Sequence, residues 1–281
     1  QALYVFNSNP AATAPNQNKV LAGLARDDLF VVVHELFMSD TAKSANLVLP
    51  ACTQAEQWDL HRSYWHDYAQ INNPAIEPQG EARSNHWVFG QIAQAMGFDE
   101  PCFRESEEDT LRGLLAGTGL DFDALAAGPV SCMPVDETSF ADRKFPTPSG
   151  KLELMTPNYT PAAPDEEHRY RLITPKSRHL QSSQLFNVAR KHAGVREASL
   201  YLHPEDGARE NIEDGAGVRV WNGRGEVELV ARLSEDVQPG LVVSHMVRWG
   251  ANANATTPDT PADMGGNSTF HTNFVSLACV A

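Results

Sequence analysis

The stretch that decides the fold is residues 201–247, YLHPEDGARENIEDGAGVRVWNGRGEVELVARLSEDVQPGLVVSHMV. The alternating β-branched residues of VRVWN and EVELVARL predict two short strands, joined by a glycine turn at residues 222–225. PEDGARENI predicts one short helix behind Pro204, and Asp214-Gly215 and Gln238-Pro239-Gly240 predict tight turns, the second leading into a strand LVVSHMV. Short strands, frequent glycine turns and one small helix favour a closed β-barrel over an open sheet.

Composition narrows the class of protein. A length of 281 residues favours two domains, and 42% hydrophobic residues suffice for two cores. The 36 acidic and 22 basic residues give a formal charge of -14, which repels a phosphate backbone and an anionic bilayer alike. We therefore expect neither nucleic acid nor a membrane surface as a partner. The four cysteines form no CxxC, so a disulfide framework, a zinc knuckle and an iron–sulfur loop are not expected in this chain.

The first residues, LYVFNSNP, predict a strand that begins without a preceding turn or cap. The sequence is therefore expected to start inside a larger protein. The cellular compartment is left open, with the cytoplasm favoured over the periplasm.

An α/β pattern follows from the start of the chain. It predicts strands at residues 3–6, 29–34 and 46–50 and a helix at 16–25, with loops at 7–15 and 35–45. LFVVV is a continuous apolar run of the kind found in a parallel strand of a doubly wound sheet, where ligands bind beyond the carboxyl ends of the strands. Those ends are the two loops, but neither is a GxGxxG. On pattern alone, local turn hydrogen bonds remain the favoured role for Asn7, Ser8 and Asn9.

The middle of the chain has weaker signals. Residues 51–80 read as irregular, and His61 and His66 lack the spacing of a helical metal pair. An amphipathic helix is predicted at 84–97, capped by Ser84, with five side chains turned inward: Trp87, Phe89, Ile92, Ala93 and Met96. Residues 107–116 predict a helix and 151–155 a strand, and the proline-rich stretch 145–164 is the best domain boundary.

A strand predicted at residues 170–174 leads into a loop crowded with side-chain donors, and a last strand is predicted at 274–277. The loop offers Thr174, Lys176, Ser177, Arg178, His179, Gln181, Ser182 and Ser183. Such donors suit a polar heterocycle or a diphosphate, although loops are ordinarily polar whatever their function.

Seven segments then stand out in chain order: NSNP; ELFMSDTAKSANLVLPA, with Glu56 after it; NNPAIEPQGEARSNHWVFGQIAQAMG; FPTPSGKLEL; RLITPKSRHLQSSQ; LHPEDGARENIEDGAGVRVWNGRGEVE; and NATTPD…DMGGN…FV. In this order they resemble the C-terminal part of the molybdopterin-dependent oxidoreductases of the dimethyl sulfoxide reductase family. The resemblance covers essentially the whole chain.

The resemblance implies a fold and a cofactor. Residues 1–100 would be an α/β layer with a doubly wound parallel sheet, part of the family's third domain. Residues 101–165 would connect it to residues 166–281, the fourth domain, a six-stranded double-psi β-barrel. Together they would bind two molybdopterin guanine dinucleotides that chelate molybdenum or tungsten.

It also implies binding residues, matched position by position. Backbone and short side chains of the first loop would approach a diphosphate, the acids of the second loop would accept from ribose or guanine, and the barrel loop would line a pterin and its phosphates. The matched residues are Asn7, Ser8, Asn9, Pro10, Glu35, Asp40, Thr41, Thr174, Lys176, His179, Gln181, Ser182, Ser183 and Asn254. For Asp40 a second interpretation stays open, in which it caps a helix that begins at Thr41. The sequence departs from the family pattern at Ala45-Asn46, before VLP, and at Phe270-His271-Thr272, where the family's tail usually has a lysine.

No catalytic residue and no metal ligand is assigned to this chain. Family members place the protein ligand of the metal in a domain upstream, and often a 4Fe–4S cluster at the N-terminus. The expected partners are therefore the N-terminal domains of the same enzyme, with an electron-transfer subunit left open. The intact enzyme would catalyse a two-electron redox or oxygen-atom transfer reaction, whose substrate is not assigned.

Two other classes of function are kept. The chain is alternatively a stand-alone nucleotide-binding module without redox activity. It is otherwise a complete small enzyme on a double-psi barrel, but neither Asp-Thr-Gly nor Asp-Ser-Gly occurs in the sequence.

Overall fold

The computed structural model describes residues 1–132, 138–154, 162–177, 179–188, 198–245, 250–262 and 265–280. The chain packs as two compact units. The first contains residues 1–48 and 161–281, and the second contains residues 49–160. Packing thus places residues 49–100 in the second unit, whereas the resemblance implied a first domain of residues 1–100. Family domains are defined by sequence segments, whereas these units are defined by packing within the chain. The domain boundaries that the resemblance implies therefore stay a prediction.

The first unit begins with a small α/β layer. Strands β1 (Ala2–Phe6), β2 (Phe30–Glu35) and β3 (Leu47–Pro50) form a sheet in that order, and the boundary after residue 48 falls within β3. β1 and β2 run parallel, with Ala2 opposite Phe30. The connections contain α1 (Pro10–Thr13), α2 (Gln17–Leu24) and α3 (Asp40–Lys43). α2 was predicted, but α1 and α3 lie in segments predicted as loops, because four residues are too few to show a helical period.

The second unit contains β4 (Asp59–Arg62), β5 (Tyr68–Asn72) and β6 (Val130–Ser131), which form an antiparallel sheet. Its helices are α4 (Asn85–Ala95), α5 (Glu107–Leu115) and α6 (Phe122–Ala127). Ile71, Leu115 and Leu125 are central to its core. The sequence predicted α5, but it missed α6 and read the β4–β5 hairpin as irregular, since DLHR shows no apolar alternation.

Helix α4 is capped as predicted but buries a different face. The hydroxyl group of Ser84 accepts a 3.2 Å hydrogen bond from the amide of Trp87. Val88, Gly90 and Ala93 are buried, whereas Trp87, Phe89, Ile92 and Met96 are exposed in this structure. The prediction for those four side chains was therefore wrong. A Cβ on Gly90 would lie only 2.9 Å from the carbonyl oxygen of Phe103, so the glycine allows α4 to pack closely against the Phe103 backbone.

The first unit ends in a barrel. Its strands are β7 (Tyr170–Ile173), β8 (Ser199–Leu202), β9 (Gly217–Asn222), β10 (Gly225–Leu233), β11 (Leu241–Val243) and β12 (Phe274–Cys279), with α7 (Pro204–Glu210) between β8 and β9. They close in the cyclic order β10-β8-β11-β7-β12-β9. That order is unchanged when β7, β8 and β9 are exchanged with β10, β11 and β12, a two-fold symmetry of topology that agrees with the predicted double-psi barrel.

Strand direction is mixed in the barrel. β8 pairs with β10 and β7 with β11 in parallel, and the other four pairings are antiparallel. Leu172, Leu200, Val220 and Val242 fill the interior. The predicted tight turns are confirmed, because Gly215 has φ 84° and Gly240 has φ 81°.

Three predicted features include residues that the structure does not describe. Residues 151–154 form no strand, and Met155 lies outside the described residues, as does the part of the proline-rich stretch from 155 to 161. The predicted strand LVVSHMV ends at Val243 within the described chain, and Met246 and Val247 lie outside it. Within the described ranges, helices long and apolar enough to cross a membrane are absent.

Candidate functional site

The loops that follow β1 and β2 are joined side chain to side chain. Oδ1 of the buried Asn9 accepts hydrogen bonds from the amide of Thr41 at 3.2 Å and from its hydroxyl group at 2.7 Å. The Thr41 hydroxyl in turn accepts from the amide of Ala11 at 3.0 Å. Nδ2 of Asn9 is buried and has no hydrogen-bond partner among the described residues. Asn9 is therefore held in place by one end of its amide and leaves the other end, a donor, unused.

The backbone of the first loop prepares the start of α1. The carbonyl oxygen of Asn9 accepts from the amides of Ala12 at 3.0 Å and Thr13 at 2.9 Å. Pro10 occupies the first helical turn, where the missing amide proton costs nothing. Asn7 has φ 51°, in the left-handed region that asparagine tolerates, and both Asn7 and Ser8 are exposed.

The second loop carries the two predicted acids. Oε1 of Glu35 accepts from the amide of the adjacent Leu36 at 2.7 Å. Asp40 is the first residue of α3, and its carboxylate accepts from Nζ of Lys43 at 3.3 Å and from the amide of Gly250 at 3.2 Å. The N-cap is Ser39, whose hydroxyl accepts from the amide of Ala42 at 3.3 Å. The interpretation of Asp40 as a cap for a helix starting at Thr41 is therefore wrong.

The barrel loop after β7 offers a second unused polar group. Thr174 is 1% exposed, and its hydroxyl group has no hydrogen-bond partner among the described residues. Downstream, the Ser177 hydroxyl accepts from the amides of His179 at 3.2 Å and Leu180 at 2.9 Å. The predicted residues Lys176 and Gln181 are exposed, and Ser182 and Ser183 lie in the turn that the Gln184 amide closes on the Gln181 carbonyl at 2.9 Å. Arg178 lies outside the described residues.

Asn254 is engaged within the protein. Its Nδ2 donates to the carbonyl oxygen of Ala12 at 3.0 Å, and its Oδ1 accepts from the Thr257 hydroxyl at 3.2 Å. Its predicted contact with a cofactor is untested. Sequence reasoning missed its neighbour Asn252, whose Nδ2 donates to the same Ala12 oxygen at 2.6 Å. The repeated asparagine in NANATTPD was the available signal.

Glu56 has a structural role in the second unit. Its carboxylate accepts from the amides of Thr53 at 2.6 Å and Gln79 at 2.8 Å. These hydrogen bonds, the one from Thr53 first, lower the pKa of Glu56 because they favour the charged carboxylate. Across the described ranges, groups of three or more His, Cys, Asp or Glu placed to hold a metal ion are absent.

Two of the predicted contact residues thus share an unusual property. Asn9 and Thr174 follow the carboxyl ends of β1 and β7, and each buries a polar atom without a partner among the described residues. A buried polar group without a hydrogen bond costs about 1–3 kcal/mol, so such groups are expected where a ligand completes the site. An amide donor and a hydroxyl group fit the phosphate and heterocycle oxygens and nitrogens of a dinucleotide.

Comparison with protein families matches the two segments of the chain that contain these residues. Residues 1–95 match the family described as "Molybdopterin oxidoreductase", and residues 170–274 match the one described as "Molydopterin dinucleotide binding domain". The chain belongs to the molybdopterin oxidoreductases of the dimethyl sulfoxide reductase family. Asn9 and Asp40 lie in the first matched segment, and Thr174 and Asn254 in the second. This molybdopterin oxidoreductase segment binds a molybdopterin cofactor.

Relatives are similar along nearly all of the chain. The probable oxidoreductase YoaE of Bacillus subtilis is 38% identical over 99% of this chain and 44% of its own length. Trimethylamine-N-oxide reductase of Haemophilus influenzae is 26% identical over 89% of this chain and 36% of its own. The solved structure of acetylene hydratase from Pelobacter acetylenicus superposes with a TM-score of 0.83 at 19% identity, over 99% of this chain and 44% of that one, which shows the common fold. The chain spans less than half the length of each of these proteins.

Proposed function

We propose that this chain is the part of a molybdenum or tungsten oxidoreductase that binds bis(molybdopterin guanine dinucleotide), and that the intact enzyme catalyses a two-electron redox or oxygen-atom transfer reaction. The observation that carries the proposal is the pair of buried, unused polar groups on Asn9 and Thr174, one in each family segment. The bound cofactor supplies the redox chemistry, and this chain supplies binding and orientation.

Each loop has a separate role in this proposal. Nδ2 of Asn9 and the backbone of residues 7–10 bind a diphosphate, and Asp40 or Glu35 accepts from guanine or ribose. Thr174, followed by the exposed Lys176 and by His179, lines the pterin and its phosphates. Because Asn9 is held through Oδ1 by Thr41, its Nδ2 keeps a fixed direction toward the ligand.

The rest of the enzyme completes this proposal. The protein ligand of the metal, and a 4Fe–4S cluster if one is present, belong to N-terminal domains that are partners of this chain. An electron-transfer subunit is a further proposed partner, and the cytoplasm is the proposed compartment. The proposal of further domains is supported by relatives more than twice as long as this chain, among them a putative dimethyl sulfoxide reductase catalytic subunit of Halobacterium salinarum.

The test of this proposal uses the full-length protein that contains this chain, expressed from its natural reading frame and purified. Its molybdenum, tungsten and pterin contents are measured, together with the guanine nucleotide released on acid hydrolysis. We expect metal, pterin and guanine in wild type, and in Thr174→Val a roughly ten- to hundredfold weaker cofactor affinity, because the variant loses one buried hydrogen bond to the ligand.

The outcomes separate the alternatives. Purified wild type without pterin or guanine would overturn the proposal. Guanine nucleotide without metal or turnover would favour a nucleotide-binding module instead. Full loading of both Thr174→Val and Asn9→Ala would show that the unused polar groups do not form the site.

A further inference from the structure

Two buried asparagine side chains converge on one carbonyl oxygen behind the first loop. Nδ2 of Asn252 and Nδ2 of Asn254 donate to Ala12 at 2.6 Å and 3.0 Å. All three residues are almost fully buried. The two asparagines are also linked to each other, because the Asn254 amide donates to Oδ1 of Asn252 at 3.0 Å.

The carbonyl oxygen they bind needs an external partner. α1 is only four residues long, and the last carbonyl oxygens of a helix have no amide donor within the helix. Pro10 O accepts from the Ala14 amide at 3.0 Å and Ala11 O from Nε2 of Gln17 at 2.7 Å, both from the same α/β layer. Ala12 O is instead satisfied from the segment that precedes β12, residues 252–257.

That segment is anchored to the barrel on its other side. Thr256 O accepts from Nδ2 of Asn222 at 2.9 Å, and the Thr256 hydroxyl accepts from Nδ2 of Asn273 at 3.0 Å. Asn222 ends β9, and Asn273 directly precedes β12. Buried hydrogen bonds therefore connect the last residue of β9 and the residue before β12, through residues 252–257, to the carbonyl end of α1.

The opposite end of α1 is the first cofactor loop. Asn9 precedes the helix, its carbonyl oxygen accepts from Ala12 and Thr13, and its Nδ2 is the unused donor. With Ala11 and Ala12 fully buried, α1 has no room to shift on its own. Movement of its carbonyl end would therefore move Asn9.

We infer that Asn252 and Asn254 are positioning residues, which act through Ala12 and α1 to set the place of Asn9 relative to Thr174 in the barrel. The inference rests on the proposed function. It assigns Asn254 an indirect role, in place of a direct contact with the cofactor. Two donors serve one oxygen, so either one keeps Ala12 O bonded, and only their joint loss leaves a buried carbonyl unpaired.

The test measures how fast the cofactor dissociates from the purified natural protein that contains this chain. We compare Asn252→Ala, Asn254→Ala, the double variant and Asp259→Asn. Asp259 lies two residues after this segment and forms an exposed ion pair of 2.9 Å with Lys19. Asp259→Asn is therefore the matched control, because it removes an exposed contact of the same part of the chain. We expect a small effect on release in Asn254→Ala and in the control, and a larger one in Asn252→Ala, which also leaves the buried Asn254 amide without its acceptor. In the double variant we expect a roughly ten- to hundredfold faster release.

Two further readouts distinguish positioning from general stability. In cofactor-free double variant, amide hydrogen exchange should accelerate at residues 11–13 and stay unchanged in β9 and β10. In a mutant cycle, the effect of the double variant on cofactor release should shrink in an Asn9→Ala background and persist in a Thr174→Val background.

The outcomes that overturn the inference are separate from those that overturn the proposed function. A folded double variant that releases cofactor at the wild-type rate would refute the positioning role, although the protein still binds molybdopterin. An Asn254→Ala effect that persists in the Asn9→Ala background would show a direct contact. Wild type that contains no pterin would refute the proposed function itself.

Discussion

The hydroxyl group of Thr41 donates a 2.7 Å hydrogen bond to Oδ1 of Asn9, and this bond joins the two loops at the carboxyl edge of the parallel sheet. β1 and β2 run in the same direction, so their following loops leave the sheet at the same edge. Thr41 is fully buried, and its hydroxyl group also accepts a 3.0 Å hydrogen bond from the amide of Ala11. One threonine therefore holds the side chain of Asn9 and the first turn of α1.

Thr41→Val should destabilise the cofactor-free protein by about 1–3 kcal/mol, because the Ala11 amide would be buried without a partner. The free energy of unfolding in denaturant gives the measurement. Thr174→Val is the matched control, since its hydroxyl group has no partner to lose among the described residues, and a change within about 0.5 kcal/mol is expected there. Equal losses in the two variants would contradict the assignment.

Gly225→Ala should destabilise the first unit by about 1–3 kcal/mol through overpacking. A Cβ at this position would overlap Nδ2 of Asn18 and lie 2.9 Å from the carbonyl oxygen of Ala255. Asn18 can turn away, but it would then lose its 3.1 Å bond to the Arg224 carbonyl, and the Ala255 backbone cannot move as easily. Gly223→Ala, where a Cβ meets nothing within 4 Å, is the control in thermal unfolding. A melting temperature lowered equally by both would show that the contact is not tight.

Stability should fall at high pH through Tyr170. Burial and the 2.6 Å hydrogen bond that its hydroxyl donates to Glu210 raise the pKa of Tyr170 to about 12. The pKa of tyrosine in an unfolded chain is about 10, so the folded state binds this proton more tightly. The contribution of this protonated hydroxyl group to the free energy of unfolding is complete below about pH 10 and is lost as the pH rises through about 12. Unfolding free energies measured across this window should fall less steeply in Tyr170→Phe, and identical slopes would rule the contribution out.

The proposed guanine contact of Asp40 can be separated from helix capping, because the cap is Ser39. Ser39→Ala should lower stability by about 1 kcal/mol and leave the guanine content of the loaded enzyme unchanged. Asp40→Ser keeps the Ser39 cap but loses a carboxylate that accepts two donors side by side, so a roughly ten- to hundredfold loss of affinity is expected, with Glu35→Ala milder.

Metal and guanine contents of the purified variants give the readout for this comparison. Asp40→Ser also removes the bond from the Gly250 amide, so the stability of each cofactor-free variant is measured alongside. Full guanine loading in Asp40→Ser would move the guanine contact to another residue.

The sequence by itself determined the features that depend on neighbours within a few residues. The β9–β10 hairpin, the turns at Gly215 and Gly240, helix α2 and the Ser84 cap follow from periodicity and from backbone angles that few residues adopt. The ordered segments also indicated the family, and the family matches confirm it. All of these signals are present in the order of residues along the chain, so they can be recognised without the folded structure.

Only the tertiary structure decided which side chains meet across the chain. Asn254 reaches Ala12 over 242 residues, and Asn9 reaches Thr41 over 32, so neither pairing has a spacing that sequence can show. On the buried face of α4, Gly90 lies close against the Phe103 carbonyl, a contact that apolar periodicity does not report. Hydrogen bonding and close packing depend on distances between distant segments, and those distances exist only once the chain has folded.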